Sequence, residues 1–539
     1  MPLDPLAGLP VPPERLPNLA RLLADYYTLE PSKPVSFGTS GHRGSASAGS
    51  FNEPHVAAIA RAVIEYRRGQ GFAGPLFLGH DTHALSEAAW RTVLEVLAAD
   101  PGTETVYSLG REYAPTPVIS FMILESNRKD PARRADGVVI TPSHNPPQDG
   151  GIKYNPPHGG PADVDATGWI ERRAAELIGN WRDIPRLTLS KALSAPNVRA
   201  MDYIGPFVEG LEKVVDLSAA KSSGLKIGAD PLGGSGVHYW EPIAERYGLN
   251  LELVNPLVDP SFSFMTVDAD GAVRMDCSSP YAMANLIKLG SRFDLGLGND
   301  PDFDRHGIVS GGGLMSPNGY LAVAAEYLLT HRPSWPAGAK VGKTAVSSVL
   351  IDRAVAGVGR EIFETPVGFK WFVEGLGSGA LAFAGEESAG GSFLRFDQKA
   401  WTTDKCGFCM TLLAVEMASK TGELPHERLK ALVSRYGETQ YRRVDTNLTD
   451  AAKAALSSLS AESLIGRDFA GRKIKSASAK APGNGAAIGG LKASLDDGSW
   501  FAARPSGTEP KMKLYAESLA GQKDLDRIIE EASLILSGA

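Results

Sequence analysis

Cysteine is nearly absent: three residues in a chain of 539 cannot form a disulfide framework. Two of them, Cys406 and Cys409, make a single C-x-x-C that leads into an apolar stretch. It reads as two small residues at a helix start, because a zinc site needs two further ligands. Long hydrophobic runs are also missing; none approaches the roughly 20 residues that span a bilayer. The beginning, Met1-Pro2-Leu3-Asp4-Pro5, lacks the basic and apolar regions of a signal peptide. The expectation is a cytoplasmic protein with no membrane partner. Nor is there a basic excess: 55 Lys and Arg face 62 Asp and Glu, a net charge of −7. That excludes the basic footprint of a nucleic-acid binder. Any anionic substrate must therefore meet local positive groups.

What is present is ordinary globular material, 43% hydrophobic and 22% charged, too long for one core. Three or four domains are expected. After an amphipathic segment, Leu16 to Tyr27, a strand–turn–helix pattern appears three times. The strands are Leu76–Asp81, Leu225–Asp230 and Lys343–Ser347, and the helices run near 87–98, 237–247 and 350–358. Short second strands follow at 104–108, 250–254 and 361–365. Such alternation implies βαβ units and a mostly parallel sheet. A third strand in each repeat then runs into a polar loop.

The first of these loops organises the chain. The apolar run Gly137-Val138-Val139-Ile140 leads into Thr141-Pro142-Ser143-His144-Asn145-Pro146-Pro147. A serine just past a buried parallel strand lies where open α/β sheets hold ligands. The flanking prolines narrow the backbone and fix the direction of the hydroxyl. The second loop, Gly298 to Arg305, alternates Asp300, Asp302 and Asp304, so three carboxylates can converge on one hard cation such as Mg²⁺. An EF-hand is excluded, since its sixth position would be Arg305 and its twelfth Gly311. An aspartyl-phosphatase nucleophile at Asp300, or a solvated acidic loop, remains open from the residues alone. Arg305 beside Ser143 would neutralise phosphoryl oxygens. The third loop, Gly385 to Gly390, offers Glu386 and Ser388 to sugar hydroxyls, or Ser388 as a helix N-cap. A Gly-rich loop, Phe37 to Gly44, carries His42 and Arg43. From about Tyr436 the rhythm changes, and Arg504, Ser506, Gly507 and Thr508 form a compact anion cradle or a surface turn. A last helix is expected over Leu525 to Leu536.

These five strings occur in the order found in the α-D-phosphohexomutase superfamily, which the chain resembles over nearly its whole length. Thr365-Pro366-Val367-Gly368-Phe369-Lys370 is similar to that family's segment before its sugar-binding loop. Within the superfamily the resemblance is to the phosphoglucomutases. Relatives acting on mannose or glucosamine phosphates typically carry Ser-Gly-His in the latter half of the loop that reads Gly-Glu-Glu-Ser-Ala-Gly here.

The resemblance implies three related mixed-sheet α/β domains, 1–200, 201–312 and 313–435, and a smaller α+β domain, 436–539, around a central cleft. It implies that Ser143 carries a phosphoryl group and that Asp300, Asp302 and Asp304 bind Mg²⁺ together with it. Arg43, His144, Lys153 and Lys405 match the catalytic centre; Arg305, Thr365, Gly368, Glu386, Ser388 and the Arg504–Thr508 loop match substrate contacts. Many relatives have an acid after the lysine, where this chain has Cys406.

The implied reaction converts glucose 1-phosphate to glucose 6-phosphate, reversibly, through glucose 1,6-bisphosphate, in a monomer or homodimer. A mannose- or glucosamine-phosphate mutase is the rival of the same class. A non-catalytic phosphosugar-binding homologue and a phosphatase are rivals of other classes.

Overall fold

Asn18 ends the Pro-rich lead by accepting a hydrogen bond from Arg21 N at 3.0 Å, so the first long helix is Leu19–Thr28 and starts later than the apolar pattern suggested. The computed structural model describes residues 3–38, 41–447, 460–505 and 511–537.

The three repeats share one strand order. Leu76–His80 lies between Thr105–Ser108 and Asp136–Ile140 and is parallel to both. Ile227–Asp230 lies in the same way between Leu251–Leu253 and Leu295–Gly298. Lys340–Thr344 lies between Ile362–Thr365 and Leu381–Glu386. The three loops that close the repeats therefore each follow the third strand, beside the central strand. The apolar residues of Asp136–Ile140 and Leu295–Gly298 are buried on both faces, as strands under helices must be. In the first two sheets an antiparallel strand follows: Asp149–Asn155 beside Asp136–Ile140, and Gly307–Ser310 beside Leu295–Gly298. His42–Ser45 then pairs with Asp149–Asn155. The third repeat's strand is Lys340–Thr344 and both begins and ends earlier than expected; its end is set where Ser348 caps the helix Val349–Gly357 and the chain leaves the sheet.

The chain divides into two compact units. The larger runs through Met315 and regains Ala389–Leu424; the smaller holds Ser316–Ser388 and the described residues from Pro425 on. The expected third domain, 313–435, is thus shared between them. The cause is the helix Gly407–Thr421, which is buried along most of its length. Its Phe408 packs on Phe303, Phe207, Tyr239 and Trp240, all in the larger unit. Cys406 caps this helix, with its sulfur 3.0 Å from that of Cys409, and both thiols are free. In the smaller unit, six strands from Gln440–Asn447 to Lys511–Ser518 form an antiparallel sheet. The helix Gln522–Ser537 covers it through Leu525, Ile528, Ala532 and Leu536. This is the expected α+β element. No helix among the described residues is long and apolar enough to cross a membrane.

One buried ion pair ties the first sheet to its helices. Arg67 Nε donates to Asp136 Oδ1 at 2.7 Å, and Tyr154 donates to Asp136 Oδ2 at 2.6 Å. Burial pushes the Asp136 carboxyl up, and the two donors oppose that shift. Arg67→Met leaves the carboxylate dry and unmatched, so the larger unit should lose ~3–5 kcal/mol of stability. Urea unfolding followed by tryptophan fluorescence checks this, and a midpoint equal to wild type would contradict it.

Candidate active site

Ser143 follows the strand Asp136–Ile140 and sits at φ 61°, in the left-handed region. A serine there costs about 1–2 kcal/mol and is held only by its surroundings. Its N–H donates to Thr141 Oγ1 at 2.8 Å, and its hydroxyl donates to Asp300 Oδ2 at 2.8 Å. His144 Nδ1 lies 3.4 Å from the same hydroxyl. Burial, then Arg305, hold the His144 imidazole well below its usual pKa, so it is neutral at pH 7.

Asp300, Asp302 and Asp304 are buried, and one oxygen of each lies within 4.8 Å of the others. Phe303, between two of them, takes φ 57° and stacks its ring 4.6 Å from that of Phe408. The aromatic core thereby anchors the acidic loop. Four cations answer the carboxylates. Lys153 Nζ lies 2.6 Å from Asp302 and 3.4 Å from Asp304, and Lys405 Nζ lies 2.9 Å from Asp304. Arg305 Nε lies 3.8 and 3.9 Å from Asp304 and Asp300, while its backbone N–H donates to Asp300 Oδ1. Arg43 is half-buried and close enough to feel Asp302 and Asp304.

The protonation pattern follows from this geometry. Burial, then Asp302 and Asp304, push the Asp300 carboxyl well up. Burial also opposes ionisation of Asp304, but Lys405, Lys153 and Arg305 outweigh it and hold that carboxyl far below its ordinary range. Burial would discharge Lys153, yet Asp302 and Asp304 more than compensate, so it stays an ammonium.

The loop fits a hard divalent cation. Asp302 Oδ1 and Asp304 Oδ1 are buried acceptors without a hydrogen-bond partner, and an all-oxygen donor set is the kind Mg²⁺ takes.

The remaining predicted contacts lie in the smaller unit. Glu386 ends the strand Leu381–Glu386, is buried, and accepts from Gly368 N at 2.9 Å. Gly368 has φ 125°, which a side chain would resist. Thr365 ends the neighbouring strand and is fully buried. Ser388 is part of a turn after the strand, so the helix N-cap reading does not hold. Arg504 lies on Trp500–Pro505, and its Nε is buried without a hydrogen-bond partner. It lines a small cavity together with Val367, so the arginine and the Thr365–Gly368 segment are neighbours. Ser506, Gly507 and Thr508 lie outside the described residues.

Four phosphoglucomutase/phosphomannomutase models match in sequence: α/β/α domain I over 34–178, domain II over 205–313, domain III over 316–436 and the C-terminal domain over 467–534. A phosphoglucomutase of Komagataeibacter xylinus is 51% identical over 99% of this chain and 97% of its own. The chain belongs to the phosphoglucomutase/phosphomannomutase family. Among solved structures, the open form of Paramecium pp63/parafusin aligns with a TM-score of 0.74 at 19% identity, covering 94% of this chain and 96% of that one. A putative phosphomannomutase of Thermus thermophilus aligns with a TM-score of 0.71 at 24% identity, covering 94% of this chain and 100% of that one. At these identities the two establish a shared fold.

Several residues of the site carried no signal of their own. Thr116 donates to Asp302 Oδ2 at 2.8 Å from the start of a helix in another part of the first domain. Asp276 lies 3.6 Å from Arg305 and 4.0 Å from His144; the Arg305 guanidinium and the Ser278 donors hold its carboxyl low against the effect of burial. Asp81 and His83 lie beneath the serine loop. Asp81 did end a predicted strand of the repeat, the place where ligand residues collect, and that position was its only clue.

Lys405 is held against Gly390, where an added Cβ would overlap Cδ of the lysine. The obstructed atoms belong to a flexible side chain, so the fold should tolerate Gly390→Ala while Lys405 is pushed off Asp304. Turnover should fall about tenfold to a hundredfold, since small displacements in such sites cost that much. Steady-state kinetics beside a thermal melt checks this; wild-type turnover would show that the position of Lys405 is immaterial.

Proposed function

We propose that the chain interconverts α-D-glucose 1-phosphate and glucose 6-phosphate through a phosphoserine at Ser143. The observation that carries this reading is the strained, buried Ser143 hydroxyl, 2.8 Å from a carboxylate loop that Lys153, Lys405 and Arg305 surround. Phosphoryl transfer needs little covalent help from a protein; it needs positioning and fixed positive charge.

In the first half-reaction the P–Oγ bond of phosphoserine breaks as a P–O bond forms to O6 of glucose 1-phosphate. The sugar hydroxyl loses its proton and Ser143 ends protonated, able to donate to Asp300 again. In the second half the bisphosphate offers its other phosphate, and Ser143 takes it back. Lys153, already an ammonium at neutral pH, is suited to stabilise phosphoryl charge and cannot act there as a base. Neutral His144 is able to accept or return a proton beside the serine oxygen. A Mg²⁺ ion held by Asp300, Asp302 and Asp304 would supply further neutralisation of phosphoryl charge when bound. Glucose 1,6-bisphosphate serves as intermediate and as the source of the phosphoryl group.

In the smaller unit, Glu386, Ser388 and the Thr365–Gly368 segment are suited to the sugar, and Arg504 to the phosphate that is not reacting. Support for glucose over mannose or glucosamine comes from Gly385–Gly390, which has no histidine, and from the name of the 51% identical relative. No residue of the reacting centre is lost, which speaks against a binding-only homologue.

Ser143→Ala should abolish isomerisation by several orders of magnitude with the fold intact, because the covalent relay needs the hydroxyl. A coupled assay of glucose 6-phosphate formation, with mannose 1-phosphate alongside, is the test. Wild-type turnover by the alanine variant defeats the phosphoserine reading, and a preference for mannose 1-phosphate moves the assignment to the rival sugar. Arg504→Ala should raise KM for glucose 1-phosphate about tenfold to a hundredfold, the equivalent of ~1.5–3 kcal/mol for a charge-assisted bond. Unchanged kinetics would make the arginine a structural residue.

A further inference from the structure

We propose that Asp81 and His83 are positioning residues for the reaction: a buried pair that fastens both sides of the Ser143 loop and holds the phosphoryl-carrying hydroxyl in its strained setting. This rests on Ser143 being the phosphoryl carrier. Asp81 follows the central strand Leu76–His80, and His83 stands just before the helix Ala84–Ala98. Both are almost fully buried.

The connections run to either side of the serine. On one side Thr141 Oγ1 donates to Asp81 Oδ2 at 2.6 Å, and that same hydroxyl oxygen accepts the Ser143 N–H at 2.8 Å. On the other side His83 Nε2 meets the Asn145 carbonyl at 3.0 Å, while its Nδ1 meets Asp81 Oδ2 at 2.9 Å. A carbonyl and a carboxylate only accept. Both ring nitrogens must therefore donate, which makes His83 an imidazolium paired with an ionised Asp81. Asp81 is fixed in turn by the Ser86 hydroxyl at 2.6 Å and by its bond from His83 N at 3.0 Å. Phe262 covers the imidazolium, with ring centroids 4.9 Å apart.

The energetic need is local. Ser143 occupies a left-handed backbone that its sequence does not favour, and it must keep that setting while its oxygen gains and loses a doubly charged group. Nothing in Pro142 or His144 can grip both ends of the turn. The ion pair does so from below, without occupying the space where a phosphoryl group reacts.

The test uses His83→Ala, Thr141→Val and the double variant in the full-length protein. His83→Ala should lower kcat about tenfold to a hundredfold, with KM for glucose 1-phosphate changed by less than about threefold. More bisphosphate should escape per turnover, and more phosphoserine should be lost to water. His83→Arg, which keeps charge and donors, should recover part of kcat. The double variant should be little worse than either single one, because the two residues act through one device. Circular dichroism and thermal melts show whether each variant is folded. Strictly multiplicative single effects, or folded His83→Ala with wild-type kcat and bisphosphate escape, would overturn the positioning role. A variant that fails to fold shifts the decision to Thr141→Val, whose turnover must then fall in the same way. Activity retained by Ser143→Ala would instead remove the reading on which the proposal rests.

Discussion

Three carboxylates held together out of water are the constraint on which the rest of the larger unit depends. Two unit charges 4 Å apart interact by about 4 kcal/mol at an effective dielectric near 20, so three such groups cannot stay ionised without compensation. The fold supplies it from separate places. Lys153 comes from the strand after the serine loop, Arg305 from the acidic loop itself, and Lys405 from the segment before the helix Gly407–Thr421. The result is uneven: Asp304 is held as a carboxylate by two lysines and an arginine, whereas Asp300 resists ionisation. That unevenness suits a centre that takes up a cation at one moment and hydrogen-bonds a serine at another.

Strain is concentrated at the same place. Ser143 and Phe303 both adopt left-handed backbone settings that neither residue type prefers. Each is held by a different kind of force. Phe303 is locked by aromatic packing on Phe408, and Ser143 by hydrogen bonds on both of its flanks. A loose loop could not hold one hydroxyl oxygen in place against the buried carboxylates. Stability is given up at two residues and recovered in the buried core around them.

The repeats were legible in the sequence because buried parallel strands are written as short apolar runs with polar loops at one end. The common strand order follows from that pattern and from the handedness of βαβ connections. The carboxylate loop was legible because its residues are adjacent along the chain. Other features depend on tertiary contacts that a local pattern does not carry. Residues 389–424 leave the unit of their own repeat because Phe408 finds its partners among aromatic residues distant in sequence. His83, Thr116 and Asp276 are single polar residues in unremarked surroundings, Asp81 was marked only by its place at a strand end, and the fold alone brings them to Ser143 and the acidic loop. Ser388 could be read as a helix cap as well as a sugar contact, because the residue type suits both; the chain turns there, which removes the cap.

The most direct measurement is the site of phosphorylation during turnover. The full-length protein, treated with glucose 1,6-bisphosphate, quenched in acid and digested, is examined by mass spectrometry. One phosphoryl group is expected on Ser143, discharged on addition of either glucose 1-phosphate or glucose 6-phosphate. A phosphoryl group on another residue, or active turnover with Ser143 never modified, would contradict it.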